Sequence, residues 1–251
     1  PALYDDIGQG YARLRRPDPR IASRIHTALG AARTVLNVGA GTGNYEPRGR
    51  QVIAVEPSGG MIRQRPPALA PVVRATAAAL PFADGAFEAS MAVLAVHHWS
   101  DPAAGLSEMR RVTSGPVVLL TFDPAARPWL TDYLPGLAAL DAVQMPALQD
   151  YAAALGPVRI ESLPVPHDCR DGFLYAFWRR PEAYLDPALR KGSSSFHALA
   201  DPEPGLARLG SDLASGEWDR RFGALRRAET YDAGYRLVIS GPALRRRTTS
   251  V

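Results

Sequence analysis

Residues 34–45 read TVLNVGAGTGNY, an apolar, β-branched run followed by three glycines at alternate positions. Glycine is costly inside regular structure and is kept where the backbone needs a positive φ or where another group approaches closely. Gly39, Gly41 and Gly43 stand directly behind a run that has the composition of a buried strand. The stretch therefore predicts a strand, a tight turn and a ligand that lies against that turn.

An acidic residue ends the next apolar run, QVIAVEPS at 51–58. Glu56 follows Gly39 by seventeen residues, and a carboxylate at the tip of the second strand accepts hydrogen bonds from the ribose hydroxyls of a bound nucleoside. In a doubly wound sheet, nucleotides bind at the glycine-rich turn after the first strand. NAD, FAD and S-adenosylmethionine all fit these features.

The spacing of the glycines separates these cofactors. Dinucleotide-binding loops carry G-x-G-x-x-G, where a helix N-terminus faces the pyrophosphate. Here the third glycine comes one residue early, Asn44 stands in its usual place, and Pro47 shortens the helix that would follow. The loop favours a cofactor that has an amino-acid tail and no phosphate.

Apolar runs bounded by turn residues recur along the chain and alternate in places with helical patterns, which predicts a parallel sheet with right-handed crossovers. The connection NYEPRGR before Gln51 is too short for a crossover helix, so we expect a stub or a loop there. The strand candidates are 34–38, 51–55, 71–75, 87–96, 116–122, 158–165 and 235–240. We expect an α/β fold with a seven-stranded, mostly parallel sheet flanked by helices.

The stretch from 34 to 122 resembles the class I S-adenosylmethionine-dependent methyltransferases. VGAGTG matches that family's first motif, and Glu56 matches its acid at the end of strand two. ATAAALPFADGAFEASMAVLAVHHW and SEMRRVTSGP are similar to the branch that contains the ubiquinone-biosynthesis methyltransferases and many small-molecule enzymes. The resemblance implies a Rossmann-like single domain over 1–251 that binds S-adenosylmethionine, releases S-adenosylhomocysteine and methylates a small-molecule acceptor, such as a secondary metabolite.

The resemblance also assigns the cofactor contacts. Thr76 stands where the family usually has an aspartate facing the adenine amino group, so we expect adenine recognition to depend on the backbone of Ala77 and on apolar contacts. The cofactor-binding candidates are Gly39, Ala40, Gly41, Gly43, Glu56, Pro57, Met61, Thr76, Ala77, Val93, Tyr4 and Arg16.

The first 30 residues resemble the helices that cover the cofactor in this family. Tyr4, Tyr11 and the dipeptide Arg16-Pro17 are the matching positions. An aromatic ring beside a sulfonium and an arginine on its carboxylate make physical sense; ordinary packing of a surface helix is the alternative for the tyrosines.

Methyl transfer from a sulfonium needs the nucleophile close and in line, and it needs a base only where the nucleophile must lose a proton. His97 and His98 end the fourth strand, at the sheet edge where ligands bind, so they and Tyr11 are the catalytic candidates. The alternative is that the histidine pair is structural. His167-Asp168 is a second candidate for the base.

About seventy residues separate the strand candidates 158–165 and 235–240, and we expect them to hold a helical insertion over 168–232. The helix-like segments are 171–186 and 205–229. Its many aromatic residues are usual for a core; alternatively, they roof the active site and select the acceptor. Exposed aromatics, with Tyr175, Trp178 and Tyr231 first, are the candidates for that roof.

Charge and composition limit the partners. The formal net charge is +4, but the arginines are scattered, and their densest cluster, 245–247, falls in a tail (243–251) that we expect to be flexible. With no aromatic-studded basic face, we expect no nucleic acid as substrate. Cys169 is the single cysteine, which excludes an internal disulfide and a multi-cysteine metal site, so we expect no metal and a buried, inert thiol.

No apolar run has the length of a membrane span, and the first residues lack the pattern of a signal peptide, so we expect no membrane and a cytoplasmic location. The oligomeric state stays open. The alternatives are a protein that binds S-adenosylmethionine without transferring its methyl group, a protein or tRNA methyltransferase, and a nicotinamide oxidoreductase.

Overall fold

The computed structural model describes residues 14–241. Tyr4 and Tyr11, two of the site candidates, and the predicted tail at 243–251 lie outside the described residues.

The described chain forms a seven-stranded sheet in the order β3-β2-β1-β4-β5-β9-β6. β9 runs antiparallel to both of its neighbours, and the other pairs are parallel. The strands are β1 (Thr34–Val38), β2 (Gln51–Val55), β3 (Val72–Val73), β4 (Ala89–Val93), β5 (Val117–Phe122), β6 (Val158–Ser162), β7 (Val165–Pro166), β8 (Thr230–Tyr231) and β9 (Tyr235–Ser240). The expectation of a seven-stranded, mostly parallel Rossmann-like sheet is confirmed.

Helices lie between the strands, and the described chain has three short 3₁₀ helices, at Val96–His98, Pro181–Leu185 and Gly223–Arg227. The α-helices are α1 (Pro19–Ala28), α2 (Gly59–Arg63), α3 (Pro102–Val112), α4 (Leu130–Tyr133), α5 (Gly136–Gln144), α6 (Asp150–Leu155), α7 (Pro187–Arg190), α8 (Ser194–Ala198), α9 (Glu203–Ser215) and α10 (Glu217–Phe222). As expected, the connection from 44 to 50 is a turn without a helix. No helix within 14–241 combines the length and the apolar character that a membrane crossing requires.

Alternate residues of the central strands pack into two different apolar cores. Val35 of β1 belongs to one core and Leu36 to the other, and β5 divides in the same way between Val118 and Leu119. Successive strand residues point to opposite faces, so the nearly continuous apolar runs predict a sheet covered on both sides. The carboxyl ends of β1, β2 and β4 therefore meet at one edge, with layers above and below.

Two side chains of α3 fasten the segment that precedes β4. Glu108 accepts a hydrogen bond from the Leu80 N–H (2.9 Å). The Arg111 guanidinium donates to the carbonyls of Phe82 (2.8 Å) and Leu80 (3.1 Å) and pairs with Glu108 (2.6 Å). The sequence motif SEMRRV thus has a structural role in this fold: it holds the L-P-F turn against α3.

Several predicted elements differ from the structure. The strands predicted at 71–75 and 87–96 are shorter, and the helical segment 205–229 divides into α9, α10 and a 3₁₀ helix. The run 158–165 breaks after Ser162, and Val165–Pro166 pairs instead with Thr230–Tyr231 in a small second sheet. Segment 171–186 is not an α-helix but a series of turns that ends in a 3₁₀ helix. The consecutive residues 173–176 are all buried, which one apolar face of a surface helix does not allow.

Candidate functional site

The three glycines of the loop after β1 all have positive φ, as the sequence indicated. Gly39 and Gly43 are required by close packing, whereas Gly41 borders open space. A Cβ at Gly39 would lie 2.6 Å from the Cβ of Ala95, and one at Gly43 would lie 2.3 Å from Leu69. At Gly41 the nearest atom would be Met61 Cε at 3.8 Å, so a side chain there would project into open space beside the loop.

Glu56 closes this loop from the end of β2. Its carboxylate accepts hydrogen bonds from the N–H of Gly41 (2.8 Å) and the N–H of Ser58 (2.9 Å), and the residue is only 6% exposed. The N–H groups of Gly39 and Ala40 donate to the carbonyl of Val55. Backbone donors therefore hold the Glu56 carboxylate in one position next to the glycine loop.

A second acid supports the loop from behind. Glu46 and Arg65 form an ion pair of 2.7 Å with both side chains almost fully buried. Arg65 also donates to the Gly41 carbonyl (3.3 Å), and Glu46 accepts from the side-chain amide of Asn37 on β1 (3.3 Å). The pair thus connects the glycine loop, the turn before β2 and Asn37 of β1, and removing either partner would leave a buried charge uncompensated.

These elements enclose a cavity of about 270 Å³ at the carboxyl edge of the sheet. It lies between the loops that follow β1 and β4, where the strand order reverses and where ligands bind in this kind of sheet. Its lining residues are Arg15, Asn37, Gly39, Ala40, Gly41, Thr42, Asn44, Tyr45, Glu56, Pro57, Met61, Val93, Leu94, Ala95, His98 and Trp99. We call it the cofactor cavity.

Most of the candidate cofactor residues line this cavity, namely Gly39, Ala40, Gly41, Glu56, Pro57, Met61 and Val93. Among the described residues, four other candidates do not. Gly43 packs against Leu69 behind the loop, and Thr76 is exposed. Ala77 is buried under Gly105 of α3, and Arg16 is exposed.

Arg15, next to the predicted Arg16, is the arginine on the cavity wall. Its guanidinium pairs with Asp171 through Nε and through Nη2, the latter at 3.1 Å. The Tyr45 hydroxyl donates to the same carboxylate (2.8 Å). The sequence indicated an arginine here, but two adjacent arginines carry no signal for which one turns inward.

The backbone is strained at two non-glycine positions in the described chain, Tyr45 (φ 65°) and Leu94 (φ 51°). Both line the cofactor cavity. Positive φ at a bulky residue is unfavourable and persists where the surrounding structure enforces it, often at a ligand site.

His97 and His98 lie in the 3₁₀ helix after β4, with ring centroids 3.8 Å apart. They face different spaces: His98 lines the cofactor cavity and His97 lines a neighbouring one. Burial and then the charge of Arg15 lower the pKa of His98 to about 4, and burial lowers the pKa of His97 well below its usual value. Both rings are therefore neutral and weakly basic at neutral pH.

The neighbouring cavity measures about 50 Å³ and shares Arg15 and Leu94 with the cofactor cavity. Its other lining residues come from the 3₁₀ helix after β4, from β5, from α5 and the residue after it, from 173–195 and from β9: His97, Phe122, Asp141, Met145, Phe173, Leu174, Tyr175, Gly192, Ser193, Ser194, Ser195 and Tyr235. We call it the second cavity. Asp141 was not predicted from the sequence, because no local pattern connects a single acid in a helix with a distant cavity.

The expectation of exposed aromatics in 168–232 was wrong for two of the three first choices. Tyr175 and Trp178 are 2% and 1% exposed. Trp178 donates to the Val165 carbonyl (3.0 Å), and its ring packs near Tyr231 at 5.4 Å. The aromatic set is mainly a core under this segment, although Tyr175 and Phe173 also reach the second cavity.

The other chemical candidates lie away from both cavities. His167 contacts Asp168 and Glu229 at the base of the 168–232 segment. Cys169 is buried, and burial raises the pKa of its thiol to about 12. Within residues 14–241, no group of three or more potential ligands is placed to hold a metal ion.

Comparison with known proteins relates this chain to methyltransferases. Residues 36–119 match the model of a methyltransferase domain. A demethylmenaquinone methyltransferase of Renibacterium salmoninarum is 36% identical over 152 residues, which are 53% of this chain and 62% of that protein. The matches span only 46–62% of the length of the first three curated relatives.

Two solved structures extend the comparison to nearly the whole chain. A putative methyltransferase from an antibiotic biosynthesis pathway of Anabaena variabilis is 36% identical, with a TM-score of 0.83, over 90% of this chain and 98% of that one. The [4+2]-cyclase SpnF shares the fold at a TM-score of 0.53 and 16% identity, over 89% of this chain and 80% of that one.

Proposed function

Since this chain belongs to the class I S-adenosylmethionine-dependent methyltransferases, we propose that it transfers the methyl group of S-adenosylmethionine to a small-molecule acceptor. The observation that carries the proposal is the Glu56 carboxylate, fixed by two backbone donors beside Gly41 on the wall of the cofactor cavity. The relative from an antibiotic biosynthesis pathway supports an acceptor from secondary metabolism.

The residues present fit the cofactor. A Cβ at Gly41 would project into space that the ligand needs, and this loop has no helix N-terminus to hold a pyrophosphate. We assign Glu56 to the ribose hydroxyls, Pro57 and Met61 to the adenosine and Arg15 to the cofactor's carboxylate. Thr76, Ala77 and Gly43 would act from outside the lining, and Tyr4 and Tyr11 keep the roles that the resemblance implies. Arg15, on the cavity wall, takes the role that the resemblance implies for Arg16.

When bound, S-adenosylmethionine supplies a methyl group activated by the adjacent sulfonium. The chain's own part is to orient both reactants and to exclude water, which supplies much of the rate of a displacement. His98 contributes a neutral ring on the wall between the loops, which accepts or donates a hydrogen bond. Residues of 168–232 on the second cavity favour a role for this segment in holding the acceptor.

Isothermal calorimetry with S-adenosylhomocysteine tests the cofactor assignment. We expect micromolar binding without added metal and no measurable binding of NADH or NADPH. Gly41→Val abolishes binding, because its side chain fills the cavity and its φ of +51° disfavours a β-branched residue. Gly49→Val is the matched control, because Gly49 also has positive φ but a Cβ there meets no atom within 4 Å.

Unaltered affinity in Gly41→Val, or saturable nicotinamide binding, contradicts the assignment. A methyl-transfer assay against a panel of metabolites then tests the reaction itself. Cofactor binding without transfer to any member of the panel would favour a non-transferring relative, a use of this fold that the [4+2]-cyclase illustrates.

A further inference from the structure

Asp141 is a buried carboxylate on the wall of the second cavity. It lies on α5, one turn after Leu137, and these two residues form the buried face of the helix. Asp141 is 4% exposed. Its side chain accepts a hydrogen bond from the Tyr175 hydroxyl at 3.4 Å, and no cationic side chain within residues 14–241 forms an ion pair with it.

Aromatic rings make up much of the surroundings of this carboxylate. Phe122 stacks on Tyr175 with centroids 5.2 Å apart, and Tyr235 packs edge-on against Phe173 at 4.7 Å. All four residues line the second cavity. Burying an ionised carboxylate among apolar rings is costly unless a cation pairs with it or several donors form hydrogen bonds to it.

The one cation on the same wall is already engaged among the described residues. Arg15 forms its ion pair with Asp171, which in turn accepts from Tyr45. Arg127, from the loop after β5, acts on Asp141 only through its charge. Aromatic faces attract cations as carboxylates do, so the second cavity offers a site for a positive group that the described chain itself does not fill.

We propose that the second cavity binds the amino group of the acceptor, and that Asp141 is its counter-ion and accepts its proton. This inference rests on the proposed function, since it places the acceptor beside the cofactor cavity across the shared wall of Arg15 and Leu94. At about 50 Å³ the cavity has room for roughly an amino group and two or three carbon atoms.

The chemistry balances without any further reactant. The bound ammonium gives one proton to the Asp141 carboxylate, which leaves a neutral amine with a free electron pair. That pair forms the new N–C bond to the methyl group while the C–S bond breaks and its electrons stay on sulfur. The products are an N-methylammonium ion and a neutral thioether, and Asp141 returns its proton to solvent.

The acid–base properties of Asp141 suit this role better than those of the histidines. Burial raises the pKa of Asp141 to about 6, opposed by the Tyr175 hydrogen bond and the charge of Arg127. The His98 pKa lies near 4, so His98 is the weaker base. Tyr175 and Arg127 act on Asp141 directly, and Arg15, His97 and Tyr235 line the same cavity. Burial raises the pKa of the Tyr175 and Tyr235 phenols well above the usual value.

The first test uses three small probes on protein saturated with S-adenosylhomocysteine: n-propylamine, 1-propanol and propanoate. At pH 7.5 we expect NMR titration to show the amine binding at least tenfold more tightly than the alcohol or the acid. Asp141→Asn loses this preference and keeps its affinity for S-adenosylhomocysteine, which shows that the variant is folded. Asp201→Asn, an exposed acid outside both cavities, keeps the preference.

The second test is the pH dependence of amine binding. Binding needs the ionised carboxylate, so it weakens as the pH falls through about 6. Tyr175→Phe removes the hydrogen bond that favours the ionised form, so the same loss occurs at higher pH while binding at pH 8.5 is retained. A merely structural role for Tyr175 would not move this midpoint.

Equal binding of amine and alcohol by the wild type, or an amine preference retained in Asp141→Asn, overturns the inference. An unchanged midpoint in Tyr175→Phe contradicts the assigned coupling and overturns it as well. The proposed function fails separately: it fails if S-adenosylhomocysteine itself does not bind, whereas the inference fails with the cofactor bound.

Discussion

At the scale of single residues, Glu56 offers the sharpest test of the cofactor site. We expect Glu56→Ala to weaken S-adenosylhomocysteine binding by about 1–3 kcal/mol, the range for losing charge-assisted hydrogen bonds. Part of the loss is local, since the N–H groups of Gly41 and Ser58 lose their acceptor. Calorimetry measures the change directly.

Glu217→Ala is the control for this substitution. Glu217 pairs with Arg220 on α10 and lines neither cavity, so its removal leaves cofactor affinity unaltered. Equal affinities of Glu56→Ala and wild type would remove Glu56 from the site.

Residues that belong to a local pattern were predictable. Gly41 and Glu56 follow from the alternation of glycines and from the end of the next apolar run, since both signals lie within a few residues of a strand. Arg15 and Asp141 were not assigned to a site from the sequence. Their placement depends on contacts with distant residues of the chain, Asp171 and Tyr175 respectively. Thr76 matched a family position and yet is exposed.

At the scale of elements, Glu108 and Arg111 of α3 hold the turn at 80–82, and we call these contacts the clamp. We expect the clamp to contribute to the stability of the fold. We expect Arg111→Met to lower the free energy of unfolding by about 1–3 kcal/mol, because the carbonyls of Leu80 and Phe82 lose their donor. Urea denaturation monitored by circular dichroism measures this loss.

Arg159→Met serves as the comparison, because the Arg159 side chain is 67% exposed and its ion-pair partner among residues 14–241 is Glu161 on the same strand. An exposed pair contributes little, so the change stays within about 0.5 kcal/mol. Equal losses in the two variants would contradict the clamp.

Strands that are short apolar runs between turn residues were predictable from the sequence, and segments whose structure depends on tertiary packing were not. The bounds 34–38, 51–55 and 235–240 agree with the sequence prediction, since these apolar runs end at turn residues. Segment 171–186 has the composition of a helix but becomes turns, because its rings enter the core from several sides. In this segment the burial of the aromatic side chains overrides the helix propensity of the sequence.

At the scale of the whole molecule, acid sensitivity follows from the buried titratable groups. The pKa of His98 is near 4 in the folded protein and about 6.5 in an unfolded chain. Between these values the unfolded state binds more protons, so stability falls as the pH falls. Asp141 has the opposite effect on stability. Its pKa is raised to about 6 in the folded protein, so on acidification the folded state binds this proton before the unfolded state does.

The pKa of His97 is lowered like that of His98. The destabilising effect of the two histidines at acidic pH therefore exceeds the stabilising effect of the single Asp141 carboxyl. We expect the free energy of unfolding to fall between pH 7 and pH 5, at most by about 1.4 kcal/mol per pH unit for each net proton. Urea denaturation at pH 7, 6 and 5 measures it. His98→Gln flattens this dependence and Asp141→Asn steepens it; a His98→Gln profile that coincides with wild type contradicts the account.

The pairing of β7 with β8 has a consequence for how this protein can change over evolution. Val165 lies opposite Tyr231 and Pro166 opposite Thr230, so the long segment between them leaves and rejoins the body of the molecule at one place. The entropy of closing a loop grows only slowly with its length. The entropic cost of extra residues at exposed turns between these anchors is therefore small, provided that the buried residues of the segment, such as Trp178 and Trp218, keep their packing. The glycine loop and Glu56 lie outside these anchors, so we expect proteins that share this cofactor-side sequence to differ most in the length of the segment between β7 and β8.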